Sequence, residues 1–250
     1  MSDGLTISEI SMLNDMKRLQ TISHNLANVN TNGYKQQIMK TQGFQNIIDI
    51  AYANRMGNVE TGQAAVQLPH IEPVVDDHSG ALKFTGKPLD VAMQDNVYLA
   101  VQSTEGELYT RQGDLHIDAR GRLVTASGLP VQGMTGEIRL ASDKPVINQQ
   151  GQIYIDEQPV AELKLMRFPP ATELQSLGNG LYRTSSPGQA GTEENLLRQG
   201  YIEASNVNMN EQMIRMIELT RHFESTQRLL RGYDEMLGNA INEIADFEGL

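Results

Sequence analysis

The chain has no cysteine and no tryptophan, and aromatic residues fill only 5% of its 250 positions. Without cysteine sulfur there is no disulfide framework and no thiolate-ligated zinc or iron–sulfur centre, and thiol usage carries no clue to a redox compartment. Positive charge is also scarce, since 20 Lys+Arg against 31 Asp+Glu leave a formal charge of −11. Such a surface repels phosphate backbones, and no basic cluster reverses the sign locally, so nucleic acid is not an expected partner. No apolar run approaches the roughly 20 residues that cross a bilayer. The opening MSDGLTISEISML has neither a basic n-region nor a continuous apolar stretch. The expectation is a soluble chain with no membrane insertion and no cleavable signal peptide. What remains, 39% hydrophobic and 20% charged residues, is enough to bury a core.

Catalytic motifs are missing as well. There is no G-x-S-x-G elbow, no phosphate-binding G-x-x-x-x-G-K-[ST] loop and no dinucleotide fingerprint; Gly86-Lys87-Pro88 reads as a turn, because proline cannot open a phosphate cradle. The histidines His24, His70, His78, His116 and His222 form no H-x-x-x-H or H-x-H pair. His70 and His78 lie near other ligand types, Asp76 and Asp77, and these read as solvated loop residues. The adjacent acids Asp76-Asp77 and Glu193-Glu194 read likewise as solvated charge rather than as a glycosidase pair. No catalytic residue, no metal site and no cofactor is therefore expected.

What is present is periodicity at the two ends. Met12, Met16, Leu19, Ile22, Leu26 and Val29 recur in steps of three or four, which places them on one helical face. The pattern Thr6-Ile7-Ser8-Glu9 predicts a capping box at the start of that helix, and Asn30-Thr31-Asn32-Gly33 predicts its stop. At the other end Met216, Leu219, Phe223, Thr226, Leu230, Tyr233, Leu237, Ala240 and Ile244 are spaced 3-4-3-4 without a break, a heptad seam. Asn208 and Glu211 supply a plausible cap, predicting a helix over 209–245. Periodicity alone leaves two uses for that seam: packing in an ordinary helical hairpin, or an intermolecular coiled coil.

Between the ends, glycines at 106, 113, 121, 128, 136 and 151 punctuate short runs such as Val97-Tyr98-Leu99-Ala100-Val101, Leu108-Tyr109-Thr110 and Arg122-Leu123-Val124-Thr125. That spacing predicts antiparallel β-structure, with Pro69, Pro73, Pro169 and Pro170 outside the strands or at their ends. The expected fold class is α+β: terminal helices paired as an α-helical coiled-coil domain around a central, mainly antiparallel β domain. The expected segments are 1–35 for the N-terminal helix, 36–78 for a connector rich in Gln, Asn and small residues, 79–200 for the β domain and 201–250 for the C-terminal helix.

Three stretches resemble one family. Ile22-Ser23-His24-Asn25-Leu26-Ala27-Asn28-Val29-Asn30-Thr31-Asn32-Gly33-Tyr34-Lys35 is similar to the signature of the bacterial flagellar rod and hook family, carried here by Asn25, Leu26, Ala27, Asn28, Thr31, Gly33 and Tyr34. Gly200-Tyr201-Ile202-Glu203-Ala204-Ser205-Asn206-Val207-Asn208, with Met213-Ile214 and Arg221-His222-Phe223-Glu224, resembles its C-terminal segment. Lys87-Pro88-Leu89-Asp90-Val91-Ala92-Met93-Gln94, Leu99-Ala100-Val101-Gln102, Tyr109-Thr110-Arg111-Gln112-Gly113 and Gly121-Arg122-Leu123-Val124-Thr125 resemble its middle. The resemblance covers nearly the whole chain. The Pro88–Gln94 run and the short length look more like the proximal-rod F-type subunit than its close relative, the distal-rod G-type. Departures are Asp95-Asn96-Val97, where a Gly-Asp-Gly turn is usual, and His24, where Asn is commoner.

The resemblance implies a structural subunit of the basal-body rod, in the periplasm, with no enzymatic activity. Its terminal helices would polymerise into an axial shaft around an export channel, with itself and other rod subunits as partners. It also implies passage through the flagellar export apparatus, for which Phe44 and Ile48, an aromatic and an aliphatic residue four apart, are the candidate gate element. The same pair has a second reading, as packing residues in the connector. Charge fits helix pairing weakly: residues 1–40 hold four basic and three acidic side chains, and residues 201–250 hold four and nine. Two rival readings stand beside the rod subunit: an enzyme acting on cell-wall glycan, and a coiled-coil adaptor that does not polymerise.

Overall fold

A computed structural model describes residues 2–41, 71–104, 106–169, 172, 174–184, 186, 188–191 and 195–247. The chain divides into two compact units: Met1–His24, Met39–Glu72 and Met209–Leu250 form one, Asn25–Ile38 and Pro73–Asn208 the other. The first is helical where described, apart from strand residues at its edges, and the second carries the mainly antiparallel β body, so the fold is α+β. These units are drawn differently from the sequence-derived segments, because Asn25–Ile38 belongs with the β body.

The helical unit contains most of α1 (Ser2–Ala27) and all of α2 (Met209–Phe247), a 39-residue helix whose bounds match the heptad reading within two residues. The predicted capping box at Thr6 is corrected: the backbone is already helical from Ser2, so Thr6 lies inside α1. Thr and Glu three residues apart mark a start only where the backbone leaves the helix before them, and Leu5 and Ile7 give it no reason to leave. Val29 is corrected too, since α1 ends at Ala27 and Val29 lies in the turn that follows. The backbone there passes through successive four-residue turns, with Asn28 N–H on the Asn25 carbonyl and Thr31 N–H on the Asn28 carbonyl, and the Thr31 hydroxyl donates to Asn28 Oδ1 at 3.2 Å.

The β body is built on a six-stranded antiparallel sheet in the order Gln175–Gly178, Leu181–Arg183, Gly106–Thr110, Val97–Ser103, Leu165–Arg167, Gln189–Ala190. Its central strand, Val97–Ser103, is buried from Val97 to Val101. Period-2 alternation sends Val97, Leu99 and Val101 into an aliphatic core with Leu123, Val131, Ile153 and Leu163, and Tyr98 into an aromatic cluster with Phe168 and Tyr182. Both faces are covered, which is why the sequence shows a continuous apolar run there instead of polar alternation. Two-stranded ribbons flank the sheet: Val91–Met93 with Leu197–Gln199, and Leu82–Phe84 with Tyr201–Glu203.

The expected connector also holds structure, since Gln37–Thr41 and Ile71–Val75 are the strands of a two-stranded sheet. Pro73 therefore lies inside a strand rather than outside one. A two-stranded sheet is all edge, and an edge strand can face its proline away from the ladder. Phe44 and Ile48 lie outside the described residues.

Candidate functional site

Three charged side chains from distant parts of the sequence meet in the interior of the β body. Lys35 follows the first helix, Arg111 follows strand Gly106–Thr110, and Glu203 ends strand Tyr201–Glu203. All three are almost wholly excluded from solvent, each side chain being 1% exposed. Ionised groups survive at such depth only when paired and saturated with hydrogen bonds. This cluster satisfies that condition donor by donor. Lys35 Nζ donates to Glu203 Oε1 at 2.9 Å, to the Asp77 carbonyl at 3.2 Å and to the His78 carbonyl at 2.6 Å, which uses all three of its protons. Arg111 Nε donates to Glu203 Oε2 at 2.7 Å, and Nη2 lies 2.5 Å from the same oxygen. The remaining guanidinium protons reach the carbonyls of Gln94, Val97 and Met93 at 3.0, 2.8 and 3.0 Å. Glu203 Oε1 also accepts the Gly80 N–H at 2.8 Å. The Tyr98 ring lies 5.5 Å from the Arg111 guanidinium carbon, adding a cation–π contact.

Burial, and then the Arg111 charge, push the Lys35 ammonium below the ordinary lysine range, against the pull of Glu203. The surrounding phenols move the other way: burial raises Tyr34 and Tyr98 to about 12, and raises Tyr182 further still. The Tyr182 hydroxyl accepts the Lys35 N–H at 3.1 Å.

The backbone around the cluster is arranged for close approach. Gly33 has φ +67, and a Cβ there would fall 2.1 Å from the Arg111 carbonyl oxygen, while its N–H donates to the Glu203 carbonyl at 2.7 Å. A Cβ on Gly113 would fall 1.6 Å from the Val91 carbonyl oxygen. Only glycine fits either place. Asn25 completes the attachment: its Oδ1 accepts the Gln37 N–H and its Nδ2 donates to the Gln37 carbonyl, both at 2.8 Å. The side-chain amide thus copies the two bonds a neighbouring strand would make, and Tyr34 Oη donates to the same Oδ1 at 3.2 Å. From the other end of the chain, Asn206 Oδ1 accepts the Gln36 N–H at 2.6 Å and Nδ2 donates to the His78 carbonyl at 2.9 Å. Nothing in this cluster is left to offer a substrate. Its chemistry is that of a clasp, holding the segment after α1 and the segment before α2 to one body.

The signature residues divide accordingly. Asn25, Gly33 and Tyr34 are buried in the clasp, Leu26, Asn28 and Thr31 are half-buried, and Ala27 is exposed. Lys35, Arg111, Glu203 and Asn206 were not singled out from the sequence, although each lies in a quoted motif.

The helix stripes are placed differently. In α1, Ile22 is buried, Met12 and Leu19 are half-buried, and Met16 is 55% exposed. In α2, the seam positions Met216, Leu219, Phe223, Leu230 and Tyr233 are half-buried. Leu237 and Ile244 are in the helix, with side chains outside the described residues. Among the described side chains of α2 only Gln212 and Thr226 are buried, and both are polar. Among the described residues Asp15 Oδ2 and His222 Nδ1, 2.6 Å apart, form a side-chain pair between the helices that is ionic when the histidine is protonated. Asp76, Asp77 and His78 bring potential ligand atoms within 4.8 Å of one another. His78 is exposed, and its hydrogen bond to the Asp76 carboxylate raises its pKa.

Comparison with known families and proteins gives one answer throughout. Residues 14–35 match the flagella basal body rod protein family, residues 92–158 the D1 domain of flagellar hook protein FlgE/F/G, and residues 198–243 the C-terminal region of flagellar basal body rod FlgEFG proteins. The flagellar basal-body rod protein FlgG of Buchnera aphidicola subsp. Acyrthosiphon pisum is 32% identical over 262 residues, covering 95% of this chain and 98% of that protein. FlgF of Mesorhizobium japonicum is 27% identical over 92% of this chain and 93% of its own length. FlgF of Escherichia coli is 34% identical over 67% and 73%. Lys35, Arg111 and Glu203 all fall inside these matched segments, and with 32% identity to a rod protein over 95% of its own length the chain belongs to the flagellar basal-body rod protein family.

Proposed function

We propose that this structural, non-enzymatic rod protein is the proximal, F-type subunit, and that it polymerises through α1 and α2 into the axial shaft around the export channel. The observation that carries polymerisation is the incomplete burial of α2. A 39-residue amphipathic helix without one fully buried apolar side chain among its described residues has not found all its partners within its own chain. Met12, Met16, Leu19, Ile22 and Leu26 on α1, Val29 just beyond it, and Met216, Leu219, Phe223, Leu230, Tyr233, Leu237 and Ile244 on α2 are the proposed assembly stripes, joined as a coiled coil. Placing a carboxylate in the α2 seam tests this. A Phe223→Glu subunit should keep a folded β body and fail to elongate as concentration rises, whereas normal polymers from that variant would refute the seam. A discrete oligomer of the unmodified chain at every concentration would instead favour the coiled-coil adaptor.

The F-type reading rests on the Pro88–Gln94 run, the short length and the identity to Escherichia coli FlgF. A G-type, distal reading is favoured by the near full-length match to FlgG of Buchnera. Imaging basal bodies with the subunit labelled decides between the two positions. No helix among the described residues is long and apolar enough to cross a membrane. Delivery is proposed to run through the flagellar export apparatus, with Phe44 and Ile48 engaging its gate. Replacing both by Ala should trap subunit in the cytoplasm while purified variant still joins rods; normal secretion with defective assembly would give the pair a packing role.

A further inference from the structure

We infer that the aromatic and basic patch around Phe84 on the β body is a contact surface for the acidic C-terminal half of α2 from a second copy of this chain. The inference rests on the proposed self-assembly and adds to the helix seam a second, charge-directed contact.

The patch is conspicuous in a chain so poor in aromatics. Phe84 is 68% exposed and Leu82 50%, on a strand whose three residues are all exposed. The Phe84 ring packs on Tyr201 with centroids 5.1 Å apart, and the Arg198 guanidinium lies 4.1 Å from the Tyr201 ring centre. Lys83 and Lys87, both exposed, add two more positive charges. Aromatic and arginine side chains are the residue types that carry most binding energy at protein interfaces, and lone exposed apolar residues do not organise in this way. The positive sign stands out on a chain of formal charge −11.

The complementary surface is the end of α2. Between Gly232 and Phe247 the sequence has Asp or Glu at 234, 235, 243 and 246 and no Lys or Arg. The last turn of the helix has no basic residue, so the acidic groups near the negative end of the macrodipole have no cation of their own helix beyond Arg231. At about 100° per residue, positions 235, 243 and 246 fall within one arc of about 80° that runs from the side opposite the seam to its flank. Met236, 60% exposed, borders that arc beside position 243. An apolar residue among carboxylates matches an aromatic pair among cations in both chemistry and sign. The two surfaces differ from each other, so the contact is head-to-tail, the class of interface from which an axial polymer can be built.

Charge reversal in two separate copies tests this. One full-length variant carries Lys87→Glu and Arg198→Glu, the other Glu235→Lys and Glu243→Lys. Sedimentation velocity over a concentration series, with circular dichroism as the folding control, should show self-association of each variant weakened by about tenfold or more. An equimolar mixture should recover the unmodified affinity within about threefold, because every patch then meets a helix of opposite sign in its neighbour. Variants that associate as the unmodified chain does, while Phe223→Glu does not, would overturn this contact and leave the helix seam standing. Weakening with no recovery in the mixture would also overturn it, since the charges would then act within one copy. If neither these variants nor Phe223→Glu alters association, both this contact and the proposed helix seam fall together.

Discussion

The two units of this chain hold ion pairs of similar length in opposite surroundings. In the β body, Lys35 and Glu203 meet at 2.9 Å with both side chains 1% exposed. In the helical unit, His222 and Asp15 meet at 2.6 Å with the histidine side chain 59% exposed. The first pair lives in a low-dielectric interior where loss of Glu203 strands two cations, Lys35 and Arg111. The second is bathed in water on one side, where attraction is screened and ordering entropy offsets most of the gain. The difference fits the two tasks proposed above: the β body is held by its own buried charge pairs, whereas the helices leave apolar surface for the proposed contacts with other chains.

The largest effect that can break this comparison is expected from Glu203→Gln. Removing the carboxylate leaves Lys35 and Arg111 buried without a counter-charge, a loss of about 3–5 kcal/mol by the general behaviour of such sites. The melting temperature of the β body should fall sharply, while helix content contributed by α1 and α2 changes little. Gly33→Ala should come next. Its φ of +67 and the Arg111 carbonyl 2.1 Å from the new Cβ both have to be relieved, costing about 1–3 kcal/mol. Limited proteolysis should then cut near Lys35 before the β body itself is lost.

Alkaline pH gives a smaller test with a definite sign. Tyr34 and Tyr98 titrate at about 12 in the folded chain against an ordinary value of 10.0, and Tyr182 is raised in the same direction. The unfolded chain therefore loses these protons first, so their stabilisation is complete below pH 10 and drains away as pH rises toward 12. Lys35, whose pKa is lowered, works the opposite way below its ordinary value of 10.5, but it is one group against three. The denaturation midpoint of the β body, followed by its near-ultraviolet signal, should decline above pH 10, and a Tyr98→Phe variant should decline less steeply.

How much of this was readable from the chain differs between the two units for a physical reason. Helix α2 was legible almost to its ends because its code is local: Met216, Leu219 and Phe223 repeat at the period of the structure they form. Strand Val97–Ser103 was legible as an apolar run, though its neighbours in the sheet were not. The clasp was hidden, since Lys35 and Glu203 stand 168 positions apart and nothing near either residue in sequence announces the other. Asn25 was identified through family resemblance, but its role as a substitute strand partner for Gln37 appears only once the turn after α1 is folded. The capping pattern at Thr6 misled because two compatible residues at the right spacing do not by themselves end a helix.

The smallest expected effect sharpens the comparison most, because it concerns the same kind of bond in the other unit. A double-mutant cycle with Asp15→Asn and His222→Gln should give a coupling of no more than about 1 kcal/mol, read from the thermal loss of helical signal. The value should shrink further in high salt, since the histidine side is open to solvent and the pair lies within reach of screening ions. The corresponding cycle on Lys35→Met and Glu203→Leu should give a coupling several times larger and nearly insensitive to salt. Lys35→Met leaves Glu203 with Arg111 alone, Glu203→Leu strands both cations, and the double change leaves Arg111 to its carbonyl acceptors and the tyrosine ring beside it. Equal couplings in the two cycles would mean that burial does not set the strength of these pairs, and the division of labour between a self-sufficient β body and dependent helices would lose its electrostatic basis.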